Sequence, residues 1–124
     1  MKKLSIFLAG ASALAMVAFT LPLVNIVGHW RVYHKSGMKS YVDFKADGSY
    51  QALTDEGHES VSGKYTSKED VVSITDNLCG IGYIASYKIN SFGKDSVVVT
   101  ALEDTCSGRK ESVDGASMKR LSKK

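Results

Sequence analysis

The sequence predicts an all-β domain: an antiparallel meander of about eight strands, closed or partly closed into a small barrel and preceded by an apolar N-terminal helix. Three observations carry this. From residue 28 onward, apolar and polar residues alternate in short runs, the period-2 pattern of strands with one buried face. Turn signals built on Gly, Asp and Lys separate these runs at regular intervals. No stretch after residue 28 carries the three-to-four-residue apolar spacing of an amphipathic helix, and the only proline, Pro22, lies before it.

The strands follow in order. Trp30, Val32 and His34 define one face of the first. Val42 and Phe44 do so for the second, which ends at Ala46-Asp47-Gly48. Asp-Gly is a hairpin signal because glycine accepts the positive φ of a tight turn. Tyr50 and Ala52 mark the third strand, closed by Asp55-Glu56-Gly57. Val61, Gly63 and Tyr65 suggest a fourth, and Lys68-Glu69-Asp70 turns the chain into Val72 and Ile74. Tyr83, Ala85, Tyr87 and Ile89 give the longest alternation. Phe92-Gly93-Lys94-Asp95 leads into Val97, Val99 and Ala101, and a last strand is expected through Val113, Met118 and Leu121. Strands so spaced favour a meander, and closure removes unpaired edges.

The N-terminal residues differ from the rest. Met1-Lys2-Lys3 precedes an almost unbroken apolar run from Leu4 to Phe19, the pattern of an export signal. Ala13-Leu14-Ala15 fits a small-x-small cleavage site, whereas a retained anchor would use Leu4 to Val27, long enough to cross a bilayer. Residues 1–27 are therefore read as a signal peptide or membrane anchor and residues 28–124 as one domain. On either reading the domain is exported, to the periplasm or beyond. The formal charge of +3 includes Lys2 and Lys3, which leaves the domain near neutral and argues against nucleic-acid binding by bulk charge.

Cys79 and Cys106 are the only cysteines. In an oxidising compartment an even count favours a disulfide. Closing a loop of this length stabilises a fold by about 3.5 kcal/mol on loop-entropy grounds. A zinc site or redox pair would use shorter Cys spacings than this one.

Several short motifs then occur together. Gly28-His29-Trp30 is a Gly-x-Trp at the start of the first strand. Phe44-Lys45-Ala46-Asp47-Gly48-Ser49-Tyr50 is followed by Gly63-Lys64-Tyr65, by Asp104-Thr105-Cys106-Ser107-Gly108-Arg109, and by Met118-Lys119-Arg120. This ordered set resembles small exported lipocalin-like domains of the calycin type. The resemblance implies that Trp30 plugs one end of the barrel beneath a cationic side chain, assigned to Arg120 with Arg109 as the competing partner. The domain is shorter than a full lipocalin, and an eight-stranded barrel holds its own side chains or one small ligand.

The candidate sites are few. Tyr50, Tyr65, Tyr83 and Tyr87 alternate with polar residues and are expected on one side, either as core packing or as the lining of an apolar ligand cavity. Tyr33 and Tyr41 fall out of phase and are expected outside. His29 and His34, on opposite faces, and the distant His58 make no metal cluster, and no cofactor is implied. No Gly-x-Ser-x-Gly elbow or singled-out carboxylate pair marks an enzyme. The basic end Lys119–Lys124 reads as a solvated tail. The expectation is a non-catalytic binding module for a small hydrophobic ligand. The alternatives are a protein-binding module, such as a periplasmic protease inhibitor acting through its mature N-terminus, or a structural envelope protein.

Overall fold

The structure, a computed structural model, describes residues 24–121. The expected N-terminal signal helix lies outside those residues. The strands are β1 (Gly28–Tyr33), β2 (Lys39–Phe44), β3 (Ser49–Leu53), β4 (Glu59–Lys68), β5 (Val71–Asp76), β6 (Gly80–Gly93), β7 (Ser96–Glu103) and β8 (Ser117–Arg120). A short helix, α1 (Ser107–Val113), lies between β7 and β8. Each strand pairs antiparallel with the next and β8 pairs back onto β1, so the sheet closes into a barrel. In such a meander the connections alternate between two ends. The β1–β2, β3–β4 and β5–β6 turns share one end with α1, and the residues before β1 and after β8 lie at the other.

The Asp-Gly turns form as the residue types require. Gly48 and Gly57 both sit at φ +91°, a region that glycine enters without steric cost. Asp47 Oδ1 accepts from Ser49 N at 2.9 Å, which fixes the first of these hairpins. The inward residues of the alternation form one core cluster that includes Val32, Val42, Val72, Ala85, Val97 and Met118.

Trp30 closes the end of the barrel opposite α1. It is 1% exposed, and its Nε1 donates to the Ile26 carbonyl at 2.9 Å. Arg120 lies opposite Trp30 in the β1–β8 ladder, with its guanidinium carbon 4.3 Å from the ring centroid. Arg120 also donates to the carbonyls of Val27 and Asn25, both at 2.6 Å. Residues 24–27, counted with the leader on composition, thus pack against the barrel, and Ile26 belongs to its core. The first motif glycine has a physical reason here. Gly28 has φ +143°, and a Cβ at that position would stand 2.6 Å from Arg120 Nη1.

Gly63, the glycine of the Gly-x-Tyr motif, faces β5 across the ladder. A Cβ there would lie 2.7 Å from Asp76 Cα and Cβ, and nearer still to the Thr75 carbonyl oxygen. Because those are mostly backbone atoms, Gly63→Ala is expected to destabilise the domain by about 1–3 kcal/mol, the range of overpacked cores. The urea midpoint measures this. An unchanged midpoint would mean that β4 and β5 can part at this position without loss.

The sequence and structure differ at the last connection. Val113, expected in the final strand with Met118 and Leu121, ends α1 instead, and the strand is confined to Ser117–Arg120. Seven residues make fewer than two turns, too short a span for helical periodicity to register. The helix is tied down from outside itself. His34 Nδ1 bonds the Ser112 carbonyl at 2.7 Å, and Asp114 Oδ1 accepts from Ala101 N at 2.8 Å.

Candidate functional site

The barrel holds a cavity of about 190 Å³. Its walls are aliphatic, from Val42, Val72, Ile74, Ile89, Val99 and Met118 among others, while α1 contributes Arg109, Ser112 and Val113. Besides Ser60 and Ser112, the polar lining groups are Tyr50, Asp76, Tyr87 and Arg109, and these four belong together. With Asp104 they form a buried network.

Arg109 is at its centre and is 2% exposed. It grips Asp104 with two parallel bonds, Nε to Oδ2 at 2.8 Å and Nη2 to Oδ1 at 2.9 Å. This fork-to-fork geometry is the strong form of an arginine–carboxylate pair. Nη2 also donates to the Tyr83 carbonyl at 2.7 Å. Nη1 lies 3.2 Å from Asp76 Oδ2 but makes no aligned hydrogen bond. Tyr50 donates its hydroxyl proton to Asp76, and Tyr87 donates to Asp104. The outer carboxylate oxygens accept backbone N–H groups, Leu78 N on Asp76 and Cys106 N on Asp104.

This arrangement biases the protonation of Asp104, Arg109, Tyr50 and Tyr87. Burial pushes the Asp104 carboxyl upward, but hydrogen bonds from Arg109, Tyr87 and Cys106 N outweigh it and hold the group below the usual carboxylate range. The bond to Asp104 raises Arg109 above the ordinary guanidinium value, so it stays charged. Burial first, and then the carboxylate each hydroxyl faces, raises Tyr50 and Tyr87 well beyond an ordinary phenol, so both remain protonated donors. The network formally contains two carboxylates and one guanidinium. Its tyrosines are held as hydrogen-bond donors to the carboxylates.

The predicted site residues sort as follows. Tyr50 and Tyr87 lie in the cavity wall. Tyr65 is buried elsewhere in the core, against the edge of Phe44, and its hydroxyl donates to the Lys45 carbonyl at 2.6 Å. Tyr83, expected with them, points outward and is 49% exposed. The reason is a break in alternation. Ile74 pairs with Ala85 but Asp76 pairs with Gly80, so the start of β6 bulges from the ladder. Of Tyr33 and Tyr41, expected outside, the first is exposed and the second half-buried on the outer face. There Arg31 and His29 stack on the Tyr41 ring. Cys79 and Cys106 form a disulfide with Cα atoms 6.2 Å apart. Arg120, not Arg109, covers Trp30. Among the described residues, no group of three or more His, Cys, Asp or Glu is placed to hold a metal ion.

Sequence reasoning singled out neither Asp76 nor Asp104 as a site residue and named Arg109 only as the competitor of Arg120 over Trp30. A signal for Asp76 was present, because continuing Val72 and Ile74 by two residues puts it on the inward face. Comparisons with family models, with curated proteins and with solved structures find no match to this chain.

Proposed function

We propose that this domain is an exported, non-catalytic, lipocalin-like module that binds a small, largely apolar molecule inside its barrel. The cavity of about 190 Å³ carries the reading: apolar walls with a few convergent polar groups are the usual make-up of a small-molecule site. Its modest size excludes long-chain lipids lying wholly within it. The disulfide fits the oxidising compartment to which the N-terminal sequence points. Tyr83, Ile84 and Leu102 are exposed apolar residues of β6 and β7, and a protein partner is the alternative they favour. Inhibition through an N-terminal arm is harder to support, because Val24–Val27 is held against the barrel by Trp30 and Arg120. Any free arm would begin upstream of Val24.

Filling the cavity tests the reading. Ala52 lines it from β3. Ala52→Phe is expected to abolish co-purification of any small molecule seen by native mass spectrometry of the exported wild type. Its melting temperature should stay within a few degrees, since the ring occupies an existing void. A wild-type protein that carries no ligand, and whose interior methyl NMR signals ignore small apolar probes, would sink the proposal.

A further inference from the structure

We infer that the cavity selects a compact, neutral molecule bearing an oxygen acceptor, which Arg109 Nη1 binds, and that it rejects carboxylates and amines. This rests on the cavity reading above and extends it to the chemistry of the ligand. The unsatisfied polar valence of the network is a donor. Arg109 is almost completely buried and lines the cavity, and its Nη1 makes no aligned hydrogen bond, meeting Asp76 Oδ2 only as an ion pair at 3.2 Å. An unmatched buried donor strongly favours any ligand that supplies an acceptor.

The carboxylates offer no matching opportunity. Asp76 Oδ2 takes the Tyr50 hydroxyl and faces Arg109 Nη1, and its Oδ1 takes Leu78 N. Asp104 Oδ2 takes the Tyr87 hydroxyl and Arg109 Nε, and its Oδ1 takes Arg109 Nη2 and Cys106 N. A ligand ammonium would therefore meet occupied oxygens and the Arg109 charge. A ligand carboxylate would add a third anion to a buried set that holds one cation. Both ions would also lose their hydration without a full set of partners. A ketone, ester or alcohol brings an acceptor and no charge. An alcohol can in addition donate to the lone pairs left on the Tyr50 and Tyr87 hydroxyls.

Size narrows the class further. An engineered apolar cavity of about 150 Å³ holds benzene. The cavity here, of about 190 Å³, suits a molecule of roughly eight non-hydrogen atoms on the same scale.

Four probes of nearly equal size decide the question: ethylbenzene, acetophenone, benzoate and benzylamine, titrated into the full domain by calorimetry and methyl NMR at neutral pH. Acetophenone is expected to bind at least about tenfold more tightly than ethylbenzene, the low end of what satisfying a buried donor achieves. Benzoate and benzylamine are expected not to bind at millimolar concentration. Equal binding of ethylbenzene and acetophenone would overturn the role of Arg109 while leaving the cavity reading intact. Benzoate as the tightest ligand would overturn the charge argument. If none of the four binds, the cavity reading falls and this inference with it. Ala52→Phe serves as the blocked control, and binding that survives in it lies outside the cavity and counts against the inference.

Discussion

Arg109→Leu is expected to take the domain to the edge of unfolding. The guanidinium holds Asp104 through two bonds and faces Asp76, all within the barrel. Leucine would leave both carboxylates buried without their cation. Breaking a buried ion pair from one side costs about 3–5 kcal/mol, against about 5–15 kcal/mol for the whole stability of a domain. A domain of this size loses about 4–8 °C of melting temperature per kcal/mol. The fall should therefore be on the order of 15–30 °C, and a fall under about 5 °C would contradict this reading of the network.

The pH dependence gives the same substitution a second, independent signature. In the wild type the Asp104 carboxyl is held below its unfolded value. The stability it contributes is thus present above the unfolded pKa of about 3.9 and is lost as the pH falls through the lower folded value. In Arg109→Leu the sign reverses. Carboxylates buried without a cation are raised above their unfolded value, so protonating them relieves the folded state. The variant should gain stability as the pH falls from 7 toward 5, a range in which the wild type is flat on this account. Thermal melts across that interval read the difference. A variant that follows the wild-type profile would show that water, not the guanidinium, satisfies these carboxylates.

The architecture was legible because each strand is declared locally. Alternation fixes the buried face, and Asp47-Gly48 and Asp55-Glu56-Gly57 fix two of the hairpins. The Trp30–Arg120 pair was legible only through the ordered motifs, since nothing in local pattern brings the two ends of a domain together. The resemblance favoured Arg120 over Arg109, and the β1–β8 register supplies the physical reason by putting Arg120 directly opposite Trp30. The interior network was hidden for a different reason. Charged residues are read as solvated by default; Asp104 lies only five residues from Arg109, but Asp76 and the Tyr83 carbonyl are distant in sequence and reach it only when the ends of β5 and β6 meet α1. Tyr83 shows the opposite error. Its sequence spacing from Ala85 and Tyr87 is that of an inward residue, but alternation cannot report where a strand leaves its ladder.

Breaking the Cys79–Cys106 disulfide is the other change expected to act strongly, and by a different mechanism. The bond joins the turn after Asp76 to the segment that carries Asp104 and Arg109. On loop-entropy grounds, removing it costs about 3.5 kcal/mol, on the order of 15–25 °C in melting temperature. That loss arises in the unfolded chain, which becomes free to expand. The ion-pair network of the folded state is left as it was. Reduction, or a Cys79→Ala/Cys106→Ala double variant, should therefore lower the melting temperature by the same amount at pH 7 and at pH 5. The new thiols do not titrate in that interval, their ordinary pKa being about 8.5. Acetophenone should still bind. Arg109→Leu, by contrast, should show a penalty that shrinks over the same interval. If reduction instead reproduces that pH-dependent pattern, the disulfide acts on the folded state by holding Asp76 and Asp104 against Arg109, and its removal frees the carboxylates just as removing the guanidinium does.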